Sequence, residues 1–319
     1  MPSPAPGEPL SSQPRAPRTV SVRVPAKINL HLGVGLRRSD GYHELTTVYQ
    51  AVSLYDEIVA GPAERLTVTV EGEGAAALTA DPAAERDNLA LRAAQVLAAH
   101  AGVAPAVALH LRKAIPLAGG MAGGSADAAG ALVACDALWG LRLDRATLAT
   151  LAAELGSDVP FALAGGTALG TGRGERVTPV LGREGFSWVL AFADGGLSTP
   201  AVFAELDRRR ERRPSLRSRP DEVLAALRTG DPAQLGPALR NDLQPAAIAL
   251  RPALRRTLQA GTELGALGAV VCGSGPTCAF LAGSPQYAVE LAAALAAEGV
   301  ARAVRRVSGP VAGARVVPG

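Results

Sequence analysis

Residues 116–129 constrain this chain more than any other stretch. Pro116, Leu117, Ala118, Gly119, Gly120, Met121, Ala122, Gly123, Gly124 and Ser125 lead directly into Ala126, Asp127, Ala128 and Ala129. Before the segment, alternation of Val107, Leu109 and Leu111 predicts a strand. After it, the small-residue run from Ser125 to Trp139, stopped by Gly140, predicts a helix. Glycines let an anion approach the backbone closely. A helix start supplies N–H groups without intrahelical partners and the positive end of the dipole, so the segment suits a phosphate group. Ser125 adds a hydroxyl there. The segment has no lysine and so is not a Walker A loop. Met121 stands where a dinucleotide fingerprint needs its second glycine. The reading without function is a tight turn that lets a helix of small residues pack closely.

The flanking pattern mixes strands and helices. Residues 20–24 alternate, and after Pro25-Ala26 the alternation resumes. Period two then predicts Ile28, Leu30, Leu32 and Val34 on one face, with Lys27, Asn29 and His31 on the other. Residues 38–41 read as a turn. Further strands are expected near residues 46–50, 55–60 and 66–70. Asn88 is a candidate N-cap for a helix running to about His100 and closed by Gly102. Helices are also expected over residues 145–155 and just after Ser157-Asp158-Val159-Pro160, with a strand and turn in residues 165–174. A second unit would hold strands at 188–193, 268–272, 277–281 and 303–307, and helices from about 200, over 249–261 and over 285–298. Hairpins compete with crossovers throughout, which favours α+β over a doubly wound sheet. With 319 residues, 48% of them hydrophobic, two domains are expected, at 19–183 and 184–319, after a disordered tail at 1–18.

Bulk properties narrow the function class. No uncharged apolar run is long enough to span a membrane, and residues 1–18 lack the apolar centre of a secretory signal. The three cysteines show no CxxC spacing, so neither a disulfide framework nor a zinc site is expected, and a cytoplasmic location fits. A net charge of +3 does not imply a nucleic-acid partner. Lys27 and Lys113 are the only lysines, whereas arginine is frequent. An ammonium is a compact point charge that a guanidinium cannot mimic at a crowded site. The arginine-rich residues 208–219 read first as a solvated helix end or mobile loop, and second as an anion-binding patch.

The string Pro116-x-x-Gly119-Gly120-x-x-Gly123-Gly124-Ser125 resembles the phosphate loop of the GHMP family of small-molecule kinases. That resemblance implies a two-domain α+β architecture, with a ribosomal-protein-S5-like first half and a ferredoxin-like second half. It also implies ATP held by residues 116–126, that is Pro116 through Ala126, with Asn88 and Lys113 nearby. Mg²⁺ is expected with ATP, its ligands unidentified. Ala118 and Ala122 replace frequent glycines, and Ala126-Asp127 replaces a frequent Ser-Asn pair. Asp127 sets a negative charge near phosphates, which fits only if it caps the helix, pairs with an arginine or binds Mg²⁺.

Three more segments extend the likeness over residues 20–307. They are residues 25–32 (Pro-Ala-Lys-Ile-Asn-Leu-His-Leu) with residues 40–45 (Asp-Gly-Tyr-His-Glu-Leu), residues 156–161 (Gly-Ser-Asp-Val-Pro-Phe), and the turn at residues 273–277. Together they resemble the branch of the family that phosphorylates a cytidylated acceptor. The resemblance implies that Lys27 and Asp158 form the catalytic pair. The chemistry is compatible, because phosphoryl transfer needs mainly positioning and charge stabilisation. Taken alone, Ser157-Asp158 before Pro160 is also an ordinary helix cap. Tyr42 can stack on a base and His43 can hydrogen-bond its edge. By resemblance, His43 reads cytosine while Asn29 and Thr199 help hold the substrate. The rival readings are a GHMP kinase for homoserine or a sugar, and a nucleotide-binding regulator that kept the fold.

Overall fold

The computed structural model describes residues 19–79, 87–182, 185–212 and 218–318. The expected tail and the expected boundary between residues 183 and 184 lie outside the described residues. Two sheets organise the described residues. The larger has eight strands: β1 (Val20–Arg37), β2 (His43–Pro62), β3 (Thr67–Gly72), β4 (Val107–Lys113), β5 (Thr167–Gly172), β6 (Arg176–Pro179), β8 (Arg240–Asn241) and β12 (Arg315–Val317). Its central path runs β12–β1–β2–β4–β3. The smaller sheet is antiparallel, in the order β11 (Ala303–Gly309), β7 (Phe186–Phe192), β10 (Cys278–Ala282), β9 (Gly268–Val271).

Helices cover the larger sheet: α2 (Leu89–Ala101), α3 (Gly123–Trp139), α4 (Arg145–Leu155) and α5 (Val159–Ala164), with the short α1 (Ala75–Thr79) beside β3. Their caps follow the sequence signals. The Asn88 side chain accepts from the Ala90 N–H, and Gly102 and Gly140 close α2 and α3 in the left-handed conformation. The helix α3 approaches the sheet so closely that a Cβ at Gly130 would collide with Ile58. A stretch of alanines and glycine is therefore what lets these layers meet. The second unit adds α6 (Thr199–Arg212), α7 (Asp221–Thr229), α8 (Pro232–Ala238), α9 (Gln244–Leu250), α10 (Ala253–Glu263) and α11 (Pro285–Ala297). The expected helix over residues 249–261 is two helices, because Pro252 has no N–H to continue the ladder. Helices α7 and α8 and strand β12 were not anticipated. Strand β12 carries the chain back from the second unit to pair with Ser21–Arg23 of β1.

One irregularity corrects the sequence reading of β1. Pairing with β2 slips between Asn29 and His31, so Asn29 lies opposite Tyr49 and His31 opposite Val48, leaving Leu30 unpaired. Such a bulge interrupts the two-residue period and reverses the faces beyond it. Ile28 and Leu30 pack in the first core, whereas Leu32 and Val34 join the second. Lys27 and Asn29, although themselves buried, share the face that lines a cavity. His31 does not share it: it is fully buried and its Nε2 lies 3.3 Å from the Ser218 carbonyl oxygen. The bulge lets a single strand serve both cores.

Candidate active site

The glycine-rich loop of residues 116–126 sits where two units meet. Helix α3 begins at Gly123, two residues earlier than expected, and its cap residue Ala122 offers no side-chain hydrogen bond. Gly123, Gly124 and Ser125 therefore open the helix with amides that no cap side chain takes, and all three line a cavity of about 610 Å³. That volume falls in the range of about 300–1,000 Å³ typical of small-molecule sites. Ala118 and Ala122 adopt φ of +50° and +60°, the region where glycine is easiest. Two alanines therefore hold a glycine-like backbone here, at some strain. The turn between β9 and β10 closes on the loop. The Thr277 N–H donates to the Gly119 carbonyl at 3.3 Å, and a Cβ at Gly120 would overlap the Cys272 carbonyl oxygen. Asn241 pins that turn by donating to the carbonyls of Val271 and Gly273, each at 2.7 Å.

Not every loop residue faces the cavity. Pro116, Ala118, Gly119, Gly120, Ala122, Gly123, Gly124 and Ser125 line it. Leu117, Met121 and Ala126 do not: Met121 and Ala126 fill the core instead. Asn88 is occupied by its cap. Lys113 also lies off the cavity wall. Its ammonium is buried beneath the loop, 2.5 Å from both Asp56 Oδ2 and Asp127 Oδ2. Asp56 Oδ1 takes the N–H groups of Ala114 and Ile115 at 2.6 and 2.9 Å. This accounts for Asp127, whose charge is aimed away from the phosphate site and into an internal ion pair.

The triad has two carboxylates for one ammonium, and one Asp127 oxygen, Oδ1, is sealed without a partner. Burial raises the Asp127 carboxyl to about 7, against the pull of Lys113, with Asp56 adding to the rise. Burial alone would lower Lys113, but the paired carboxylates hold it above its ordinary value. A raised acid binds more protons folded than unfolded, so its contribution to stability is present below pH 3.8 and lost as pH rises to about 7. Asp127→Asn abolishes that loss. The expected result is a variant that gains stability on the wild type as pH climbs through this window, measured by thermal unfolding of both proteins. Parallel pH curves would place the proton elsewhere.

Lys27 and Asp158 stand across the cavity from different elements, β1 and the start of α5. Lys27 Nζ lies 3.8 Å from Asp158 Oδ2. Its position is fixed by a chain of hydrogen bonds: Lys27 Nζ to Asn29 Oδ1 at 2.8 Å, Asn29 Nδ2 to Thr47 Oγ1 at 2.8 Å, and Thr47 Oγ1 to the His31 carbonyl at 2.7 Å. The Lys27 N–H donates to the Met121 carbonyl, which joins β1 to the loop. Asp158 precedes α5 yet makes no side-chain cap. Its Oδ1 instead accepts from Tyr49 Oη at 2.9 Å. Burial first, and then Asp158, push the Tyr49 phenol well above its ordinary value, so it stays a donor. Tyr49 also stacks on Phe161 and carries Lys27 over its ring at 5.6 Å from the centroid. Tyr49 carries no local signal of this role, because the contact spans 109 residues.

The same cavity takes in Tyr42, His43, Phe203, Arg173 and Asp207. His43 is buried and stacks on Phe203 with centroids 4.9 Å apart, while Tyr42 is exposed with Arg173 over its ring at 5.0 Å. Thr199 Oγ1 meets Ser274 Oγ at 2.9 Å, joining α6 to the β9–β10 turn. Phe203 and Asp207 on α6, and Arg173 in the turn between β5 and β6, escaped the sequence reading because these elements reach the site only through the tertiary fold. Among the described residues, no group of three His, Cys, Asp or Glu could hold a metal. The arginine-rich stretch is used partly inside the fold: Arg210 donates to the carbonyls of Val34 and Gly35, and Arg208 pairs with Glu205. Residues 213–217 of that stretch lie outside the described residues.

Comparison with known proteins shows the family. Residues 88–166 match the GHMP kinases N terminal domain, and residues 223–301 match the GHMP kinases C terminal family. The 4-diphosphocytidyl-2-C-methyl-D-erythritol kinase of Nocardia farcinica is 62% identical over 94% of this chain and 97% of its own length. The protein of the same name from Salinispora arenicola is 60% identical over 94% of this chain and 96% of its own. A solved structure, a 4-(cytidine 5'-diphospho)-2C-methyl-D-erythritol kinase, superposes with a TM-score of 0.73 at 34% identity, covering 91% of this chain and 99% of that one. The homoserine kinase of Cytophaga hutchinsonii superposes with a TM-score of 0.70 at 17% identity, over 94% of this chain and 97% of its own, a likeness of fold alone.

Proposed function

The chain belongs to the GHMP kinase family, and from that premise we propose that it transfers the γ-phosphoryl group of ATP to the 2-hydroxyl of 4-diphosphocytidyl-2-C-methyl-D-erythritol, in the non-mevalonate route to isoprenoid precursors. It is an ATP-dependent phosphotransferase: its relatives are named kinases, and its domains are those of the GHMP kinases. The observation that carries the finer reading is the placement of Asp158. Its carboxylate does not cap its own helix; it is turned toward Lys27 by Tyr49, beside an uncapped helix start.

The chemistry follows from that arrangement. With Oδ1 engaged by Tyr49, Asp158 Oδ2 is free to accept the proton of the acceptor hydroxyl. Lys27, oriented by Asn29, stabilises negative charge on the phosphoryl group in transit. The amides of Gly123, Gly124 and Ser125 take phosphate oxygens. Tyr42, His43 and Phe203 form the flat wall for a cytosine, with Asn29 and Thr199 near the rest of the acceptor. The described residues supply no metal cage. The Mg²⁺ expected with ATP is proposed to arrive on the triphosphate, which binds such ions readily. Buried cysteines fit a cytoplasmic enzyme: burial raises the thiols of Cys135 and Cys272 to about 12, which leaves them inert.

The deciding experiment measures ATP consumption with four acceptors: the cytidylated methylerythritol, homoserine, galactose and mevalonate. Turnover with the first, inhibited by CDP, is expected. Turnover with another acceptor alone would move the chain to a different branch, and none at all would leave a nucleotide-binding regulator. Within the site, His43→Ala should weaken the cytidylated acceptor while sparing the KM for ATP. Equal losses for both substrates would move the base elsewhere.

A further inference from the structure

The His43 ring is held by a residue that neither motif nor family likeness singled out. Its Nε2 lies 2.8 Å from Asp207 Oδ1, a contact between residues 164 positions apart. The His43 side chain is only 5% exposed. One face of the ring is covered by Phe203, which stands one helical turn before Asp207 on α6. The helix of the second unit thus supplies both a stacking surface and a carboxylate to a histidine at the start of β2. Nδ1 has no partner among the described residues and is not among the sealed polar atoms, and His43 lines the cavity.

An ionised carboxylate only accepts hydrogen bonds, so the proton between Asp207 and His43 sits on Nε2. In the neutral ring Nδ1 then carries a lone pair. We propose that Asp207 is a positioning residue that presents His43 Nδ1 as an acceptor to the base and thereby selects cytosine over uracil. The proposal rests on the cytidylated acceptor argued above. Cytosine offers an amino donor at C4, where uracil offers a carbonyl oxygen. An acceptor at Nδ1 pairs with the first and faces a second lone pair with the other. Selectivity of this kind is strong because the mismatched base leaves a buried polar group unpaired. Phe203 keeps the ring from turning over, so the tautomer also fixes where the lone pair points.

The test is competitive inhibition by CDP and UDP in wild type, Asp207→Asn, Asp207→Glu and His43→Ala. The amide of Asp207→Asn can donate to Nε2, which moves the ring proton to Nδ1 and turns the acceptor into a donor. Wild type is expected to prefer CDP. In Asp207→Asn that preference falls by about tenfold or more, because CDP weakens while UDP holds or tightens. The KM for ATP stays constant, Asp207→Glu recovers part of the preference, and ring ¹⁵N shifts of His43 report the change of tautomer. A merely structural role would weaken CDP and UDP together. An undiminished preference in Asp207→Asn, with His43→Ala lacking it, would overturn the role of Asp207 and leave the cytidine site intact. A wild type indifferent to CDP and UDP would overturn the cytidine reading and the proposal with it.

Discussion

Asp158→Asn lowers kcat by about 10²–10⁴-fold, the range for loss of a general base, while the affinities for ATP and the acceptor persist. The asparagine keeps the shape of the side chain, and its oxygen can still accept from Tyr49, which donates to Oδ1 at 2.9 Å in the native site. What it lacks is a basic oxygen facing the acceptor and the negative charge 3.8 Å from Lys27. An interaction realised only in the transition state lowers kcat and kcat/KM together. Steady-state kinetics with the cytidylated acceptor, alongside equilibrium binding of ADP and CDP, separates the two effects. Near-normal turnover would remove Asp158 from the mechanism, and a matching loss of nucleotide binding would point to a damaged fold.

Lys113→Met destabilises the protein by about 3–5 kcal/mol, the usual result of breaking a buried ion pair from one side. The methionine fills the volume but strands Asp56 and Asp127, which are 0% and 7% exposed at their side chains. Three elements lose their common anchor, because the triad ties β2, β4 and α3 together. Lys113 Nζ also reaches the Gly123 carbonyl at 3.4 Å, so the loop loses support from below. Denaturant unfolding should show the loss, and the KM for ATP should rise with it. Adding Asp127→Asn removes one stranded charge and should restore part of the stability. A change below about 1 kcal/mol, the scale of an exposed pair, would mean that water reaches these carboxylates.

The two lysines illustrate how far the sequence carries and where it stops. Their scarcity drew attention to both. Lys27 lines the cavity as expected, whereas Lys113 lies beneath the phosphate loop, off the cavity wall. The two-residue period separates them, because Lys113 falls in phase with the buried Val107, Leu109 and Leu111 and Lys27 out of phase with Ile28 and Leu30, but it does not name the partners each one meets. The difference lies in what the other strand and helix bring: Asn29 and Asp158 for one, Asp56 and Asp127 for the other. Likewise Ser157-Asp158-Val159-Pro160 reads as a cap from local signals. What draws the carboxylate away from that cap is Tyr49, 109 residues earlier.

The amino-acid sequence alone determined the glycine-rich loop before α3, the helix caps at Asn88, Gly102 and Gly140, and the α+β class. These depend on backbone conformation and on hydrogen bonds reaching a few residues at most, so the local order of residue types suffices. Tertiary structure decided the bulge at Leu30, the return of β12 to β1, the Asp56–Lys113–Asp127 triad and the pairing of His43 with Asp207. Each of those joins residues distant along the chain. Their energies depend on burial and mutual geometry, which come into being only when the two sheets and their helices pack.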